Sequence, residues 1–475
     1  MKINFWKFVL YSRNHNIWFF LFAMLILLKI PTIFYTNYYD ISITETVSYL
    51  LDNPVRNIYE LIVKLSIDNG SFLLLRIINI LLISLTSIFV FLLTKKIYSS
   101  RVGFISTIIY TLSLSSFGPS FLEFSEEILL SPFFMLGLYS FYMIEFEEKK
   151  IYILTLTLSV IFSLLISFKG VYLILAIIFY ILIARPFWVF RKNREDVSKY
   201  FILIIVITLM GLSFFIIDWV TTNKVMNENF KKIVSNYYIN YIENNLLLFI
   251  PNFIHKILII FIFHSILWFF GIKGIINFFN DKIKRAKEFY IISTIIFLGF
   301  TVLLSGLDIK LQSFIPIYPV ISIIAGFQIF ENVKQQKLRK TIITLILLPV
   351  IFFFLWNTKE IFVNKNTNKI SYTFNKIMGE KTIDIERVSE LEEIIDFIKR
   401  EEASVYSYNS YLKYLGYSEK VKINFITDKK EIDPLKIKTI IINTQNKEKD
   451  NFEEVLKNYF YVKNIGNFQI WKIKE

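Results

Sequence analysis

Acidic side chains stand just beyond two long apolar segments of the sequence. Asp40 and Glu45 lie in NYYDISITETVSYLL, and Glu126 and Glu127 lie in FLEFSEEILLSPFF. A carboxylate at such a place can accept the proton of a hydroxyl or amine that attacks an electrophilic carbon. It can equally cap a helix, because a short acidic side chain satisfies free amide groups and the positive end of the helix dipole. The local sequence alone leaves both interpretations open.

Basic side chains stand near the ends of other apolar segments, at Arg76, Lys169 and Lys310. They could stabilise a leaving phosphate, or they could simply reach from a helix end to the membrane surface. His255 and His264 do not share a helix face that would suit one metal ion. The chain has no Cys, so thiolate catalysis and Cys-based zinc sites are excluded.

The elements that must position these residues are membrane-spanning helices. Of the 475 residues, 55% are hydrophobic and 18% aromatic, and the mean hydropathy is +0.51, which is unusual for soluble domains. Apolar runs of about 18–22 residues predict a polytopic α-helical membrane protein with about 11 transmembrane helices. The predicted spans are 17–35, 72–94, 103–119, 128–144, 151–168, 171–189, 200–218, 247–270, 289–306, 312–330 and 341–357.

The loops on one side of these spans carry most of the Lys and Arg residues. This bias places the N-terminus in the cytoplasm and the C-terminal region outside, and it explains the net charge of +14 without a nucleic-acid partner. The first apolar run lacks a small-residue cleavage site, so we expect it to be retained as a span. The spans place no charge near the middle of the membrane, where an ion-coupled transporter usually needs one.

Three outer segments are more than simple turns. Loop 36–71 holds two short helical patterns, ITETVSYLLDN and VRNIYELIVKL, which are typical of helices lying on a membrane surface. Loop 219–246 is polar, with aromatic residues at helical spacing. After a transmembrane domain at 1–357, the tail 358–475 is predicted to form a small extracytoplasmic α/β domain. Its predicted helices are VSELEEIIDFIKRE, SYLKYLG and NFEEVLKNYF, and its predicted strands are ASVYSY, KINFIT, KTIIINT and NFQIWKI.

The order of several short motifs along the chain is informative. They are Asp40, Leu75-Arg76, YSSRVG, Ser125-Glu126, Lys169-Gly170, and LQSFIPIYPVISIIAG with Pro316 and Pro319. In this order and spacing the chain resembles the GT-C superfamily of polyprenyl-phosphate-sugar-dependent glycosyltransferases. It looks most like the branch that contains protein O-mannosyltransferases and aminoarabinose transferases. The resemblance covers residues 1–190 and, more loosely, 305–330.

The resemblance implies an integral membrane glycosyltransferase with a GT-C-like fold. Its donor would be a polyprenyl-phosphate-linked sugar in the bilayer, and its acceptor a protein, a lipid or a cell-envelope glycan at the outer face of the plasma membrane. Asp40 would be the general base and Glu126 a second active-site acid. Lys169 and, less strongly, Arg76 would bind the lipid phosphate. Lys310 is predicted to join them from its place at the same depth, not from the resemblance. Glu127 and Glu45 would be further members of the site.

Two alternatives stay open at this stage. A transporter or flippase of lipid-linked sugars would share the membrane topology. An inactive GT-C-like scaffold is suggested by Ile41, which stands where the family has a second acid, and by Gln312, which stands where the family has Arg. Because Ile41 weakens any carboxylate pair, no metal site is expected, although a divalent ion is conceivable for the family.

Overall fold

The structure is a computed structural model, and most of what it describes is helical. It describes residues 50, 55, 57–68, 73–112, 124–184, 265–281, 286–304, 315–332, 385–401, 403–406, 421, 423–426, 437–443, 456–466 and 468–474. The predicted spans at 17–35, 200–218 and 341–357 lie outside these residues, as do loop 219–246 and the predicted helix SYLKYLG. The described residues belong to two compact units, one helical and one built on a β-sheet, and each is treated by itself.

The helices of the first half of the chain follow the apolar segments. They are α1 (Ile58–Asp68), α2 (Leu73–Ile97), α3 (Ser100–Leu112), α4 (Glu126–Glu147), α5 (Tyr152–Ile166) and α6 (Val171–Phe179). A 3₁₀ turn, Phe168–Gly170, joins α5 to α6, and a π-helical segment, Tyr180–Ala184, continues α6. The second half adds α7 (Ser265–Asn280), α8 (Ala286–Leu304) and α9 (Ile317–Asn332).

Two helices are long and apolar enough, within the described residues, to cross a bilayer: Ile77–Ile97 and Glu126–Glu147. Three shorter apolar helices are Tyr152–Ile166, Val171–Leu182 and Ile317–Glu331. The face of α2 that carries Leu74, Ile77, Leu81 and Leu85 is exposed, whereas the rest of the helix is largely buried. An apolar stripe at helical spacing on an otherwise packed helix is what contact with lipid requires.

Two packing centres organise the helical unit. Helix α4 packs against α2, α5 and α6, and helix α9 packs against α2, α3, α7 and α8. Small residues allow the closest approaches, as is common between membrane helices. Gly326 of α9 lies so close to Ser106 of α3 that an added Cβ would stand 2.2 Å from the Ser106 Oγ.

Helix α7 differs from the prediction. The predicted span ends at residue 270, but the helix continues to Asn280, so that boundary is wrong. Gly271 and Gly274 pack against Ile321 and Ile324 of α9. This contact lies beyond residue 270 and stabilises the part of the helix that was not predicted.

The C-terminal residues that the structure describes contain a five-stranded sheet and one helix. The strands are β1 (Ala403–Tyr406), β2 (Asn424–Ile426), β3 (Thr439–Asn443), β4 (Tyr459–Ile465) and β5 (Phe468–Ile473), in the order β2-β1-β3-β5-β4. Strands β2, β1 and β3 are parallel, whereas β5 is antiparallel to both of its neighbours. Helix α10 (Ile385–Arg400) packs against β4. The predicted helix VSELEEIIDFIKRE and the four predicted strands are present at these places.

Strand β4 was not predicted, and the helix predicted over 451–460 is wrong at its end. Tyr459 and Phe460 are strand residues. They begin the run YFYVKNI, whose aromatic and β-branched residues favour a strand. Gly466, at φ +52°, lies in a two-residue connection that pairs Ile465 with Phe468 and so forms a hairpin.

The contact between Gly326 and Ser106 is expected to be sensitive to a single methyl group. Gly326→Ala should lower the free energy of unfolding by about 1–3 kcal/mol, because the new Cβ would meet backbone and side-chain atoms of α3. Thermal unfolding in detergent measures the change.

Gly299→Ala in α8 is the matched control, since a Cβ there would meet no atom within 4 Å. It should leave stability unchanged or raise it by up to about 1 kcal/mol through helix propensity. Equal melting temperatures for the two variants would contradict the close packing of α3 and α9.

Candidate functional site

Helix α4 begins with two adjacent carboxylates. Ser125 caps the helix in an extended conformation, at φ −128° and ψ 162°, and its Oγ accepts a hydrogen bond from the backbone N–H of Ile128 at 3.4 Å. Glu126 and Glu127 therefore occupy the first turn, where negative charge is favoured by the helix dipole. Despite its charge Glu127 is buried, with 5% of its surface exposed.

The turn after α5 faces this helix start. The N–H of Ser167 still donates to the Ser163 carbonyl at 3.2 Å, and the N–H of Gly170 donates to the Ser167 carbonyl at 2.9 Å. The chain thus reverses tightly over the last turn of α5. A Cβ on Gly170 would lie 2.3 Å from the carbonyl carbon and oxygen of Ser163, so only glycine fits there.

Lys169, one residue earlier, pairs with Glu127. Its Nζ donates a short hydrogen bond to the Glu127 Oε1. The Glu127 side chain is 7% exposed, whereas that of Lys169 is 42% exposed, so the lysine side chain is only partly covered. Burial alone would lower the pKa of Lys169, but the negative charges of Glu127 and Glu126 outweigh it, and the pKa is raised above its ordinary value.

Glu126 has a different neighbour, Ser167. The Ser167 Oγ donates to the Glu126 Oε2 at 2.8 Å, and it accepts from the backbone N–H of Lys169 at 3.3 Å. One hydroxyl therefore links the turn to the second carboxylate. We call Glu126, Glu127, Ser167 and Lys169 the carboxylate–lysine site.

Ser167 was not among the predicted site residues, although the sequence contains a signal for it. Hydroxyl residues recur every four positions along α5 and just beyond it, at Thr155, Ser159, Ser163 and Ser167. Thr155 contacts Ser140 of α4 at 2.9 Å, which shows that this face of α5 is turned toward α4. The same spacing brings Ser167 to the start of α4.

The structure brings together three of the predicted site residues, Glu126, Glu127 and Lys169. It places Arg76 in the first turn of α2 without describing its side chain. Asp40, Glu45 and Lys310 lie outside the described residues. Tyr59, at the start of α1, stacks on Phe124, and its hydroxyl donates to the Phe124 carbonyl at 3.4 Å, directly before Ser125.

An ion pair links two of the helices at the opposite end of α4. Lys96 at the end of α2 pairs with Glu147 at the end of α4, at 3.5 Å, and the Tyr142 hydroxyl donates to the Lys96 carbonyl. No group of three or more His, Cys, Asp or Glu side chains that could hold a metal ion is found in the part of the chain that the structure describes.

Comparisons with known proteins agree with the helical membrane fold. A family model described as dolichyl-phosphate-mannose-protein mannosyltransferase matches residues 55–224, which include the carboxylate–lysine site. The crystal structure of ArnT from Cupriavidus metallidurans bound to undecaprenyl phosphate aligns with a TM-score of 0.58 and 10% identity, over 96% of this chain and 98% of that chain. The Archaeoglobus fulgidus oligosaccharyltransferase complex with Zn and sulfate aligns with a TM-score of 0.53 and 12% identity, over 94% of this chain and 72% of that chain. No curated protein sequence matches.

The resemblance to the GT-C superfamily is thereby confirmed. The fold is that of a polytopic helical membrane protein, as predicted. The family match and the shared fold agree with the predicted membrane glycosyltransferase.

The ion pair between Lys169 and Glu127 is expected to contribute to stability. Lys169→Met should lower the free energy of unfolding by about 1–3 kcal/mol, because it leaves a buried carboxylate without its cation. The loss should be smaller than for a fully buried pair, since the ammonium is partly exposed. Adding Glu127→Gln should restore part of the stability, because a neutral amide is less costly to bury than a carboxylate. Unfolding of the wild type, both single variants and the double variant in detergent gives the coupling energy.

Lys96→Met is the control, because its partner Glu147 is itself 29% exposed and the pair is longer. It should change stability by less than about 1 kcal/mol. Strictly additive effects of Lys169→Met and Glu127→Gln would show that the two side chains do not stabilise one another.

Proposed function

We propose that this protein transfers a sugar from a polyprenyl-phosphate donor to an acceptor at the outer face of the membrane. The observation that carries the proposal is the carboxylate–lysine site itself. Two carboxylates, a hydroxyl and the ammonium of a partly exposed lysine meet at one end of apolar helices. The predicted topology would put the headgroup of a lipid donor at this end. An ArnT structure with undecaprenyl phosphate bound has the same fold, which supports a lipid phosphate as the leaving group.

The reaction is a displacement at the anomeric carbon. The bond from that carbon to the lipid-phosphate oxygen breaks, and a bond to the acceptor oxygen or nitrogen forms on the opposite face, so the configuration inverts. A carboxylate takes the acceptor proton, and the lipid phosphate leaves with the electron pair of the broken bond. The site must therefore supply a base on one side and positive charge on the other.

Asp40 is the base in this proposal, with Glu126 as a second acid that contacts the sugar or the acceptor. Support for this assignment comes from Tyr59, which belongs to the same predicted outer loop, 36–71, and contacts Phe124 directly before the start of α4. Glu45 is a further acid of the same loop. The acceptor is a protein, a lipid or a cell-envelope glycan.

Lys169 is the principal ligand of the lipid phosphate. An ammonium has three N–H donors, and one of them is directed to Glu127. Glu127 thus holds the lysine in place, and the other N–H groups of the ammonium are proposed to donate to a phosphate oxygen. Arg76 and Lys310 are proposed to add positive charge at the same depth.

The proposed membrane topology places the site and the C-terminal domain on the same side of the membrane. The chain has about 11 spans in a transmembrane domain at 1–357, with a cytoplasmic N-terminus in the plasma membrane. The region 358–475 is an extracytoplasmic α/β domain. This orientation puts the carboxylate–lysine site on the outer side, because α4 follows the second outer loop.

A transfer assay tests the proposed function. Purified protein in nanodiscs is incubated with a panel of radiolabelled polyprenyl-phosphate sugars, and release or transfer of sugar is measured. Asp40→Asn should reduce the rate at least about a hundredfold, because the amide cannot accept the acceptor proton.

The control is Asp52→Asn, a carboxylate of the same loop that has no proposed role, and its rate should stay within about twofold of wild type. Equal rates for wild type and Asp40→Asn would remove Asp40 from the chemistry. Wild-type protein that transports intact donor across the membrane without releasing sugar would favour a flippase.

A further inference from the structure

The two carboxylates at the start of α4 are held in different ways. Glu127 is buried and its charge is balanced by Lys169. Glu126 is more exposed and receives its hydrogen bond from the neutral hydroxyl of Ser167. Adjacent acids with such different partners are suited to different tasks. Glu127 is suited to holding a cation, and Glu126 is suited to contacting substrate.

The direction of the Ser167 hydrogen bond is fixed by its second partner. The Oγ accepts from the backbone N–H of Lys169, so its own proton is available for the Glu126 Oε2. Ser167 is itself buried, with 8% of its surface exposed, so its hydroxyl is shielded from competing water. The backbone that carries this hydroxyl is in turn held by the tight turn at Gly170.

Helices α4 and α5 are also fixed in register at a distance from the site. Ser140 and Thr155 contact each other at 2.9 Å, several turns away. Together with the bonds from Ser167 to Glu126 and from Lys169 to Glu127, this contact links α4 to α5 and the turn that follows it at two separate levels. Neither helix can slide or rotate without breaking one of these bonds.

We propose that Ser167 is a positioning residue that acts through Glu126, by holding the carboxylate in the orientation in which it contacts the sugar or the acceptor. The inference rests on the proposed function. It assigns no chemistry to Ser167 itself. A hydrogen bond to an ionised group is stronger than one between neutral groups, so its loss frees the Glu126 side chain to adopt other rotamers.

A double-mutant cycle on transfer rates tests the proposal. Ser167→Ala should reduce kcat/KM for sugar transfer by about 10- to 100-fold, as loss of a charge-assisted hydrogen bond predicts. In a Glu126→Ala background the same substitution should change kcat/KM by less than about twofold, because its target is already gone. A merely structural role would lower activity in both backgrounds.

Ser163→Ala is the matched control. Ser163 lies four residues earlier on the same face, it is buried, and its Oγ has no hydrogen-bond partner among the residues that the structure describes. Its kcat/KM should stay within about twofold of wild type. The melting temperatures of all variants are measured in parallel, so that loss of folded protein is distinguished from loss of rate.

The outcomes separate the two proposals. Wild-type transfer with an unchanged rate in Ser167→Ala would overturn the positioning role and leave the proposed function intact. Equal losses of kcat/KM from Ser167→Ala in the wild-type and Glu126→Ala backgrounds would also overturn the positioning role and leave the proposed function intact. Wild-type protein that is inactive with every donor, while it transports donor across the membrane, would overturn both.

Discussion

Burial of the Glu127 carboxylate is the constraint on which this end of the helical unit depends. An ionised group that is 5% exposed requires a cation within reach, and Lys169 provides it. Lys169 can do so because the chain reverses sharply over the last turn of α5. That reversal needs glycine at position 170, where any Cβ would meet the Ser163 backbone. Lys169 and Gly170 therefore act together: the glycine permits the turn, and the turn brings the lysine to Glu127.

The same turn gives the site its chemical asymmetry. Within four residues it presents an ammonium to Glu127 and a hydroxyl to Glu126. The buried carboxylate orients the cation that is proposed to bind a phosphate, and the more exposed carboxylate is proposed to act on the sugar side. Apolar helices hold both carboxylates at one end of the unit, and the ion pair of Lys96 and Glu147 lies at the other end. A lipid donor that keeps its chain in the bilayer would meet its reactive groups at such an end.

Much of the fold follows from hydropathy, because exclusion of charge from a bilayer constrains long segments strongly. The helices from α2 to α6, α8 and α9 lie at predicted spans for this reason. The contact between Glu127 and Lys169 does not follow from sequence, since it depends on how α4 and α5 pack. Ser167 was missed because a serine carries little signal alone. Strand β4 was missed because its first residues also fit a helical pattern. Its pairing with β5, which lies close in the sequence but is not visible from β4 alone, favours the strand over the helix.

The most direct test is a structure of the protein with bound polyprenyl phosphate. A cryo-electron microscopy map in nanodiscs would place the phosphate relative to the helix ends without requiring the correct sugar or acceptor. The account predicts a phosphate oxygen within about 3 Å of the Lys169 Nζ, the distance of a charge-assisted hydrogen bond, with Glu127 still paired to the same ammonium. A phosphate bound instead at the opposite end, beside Lys96 and Glu147, would contradict it.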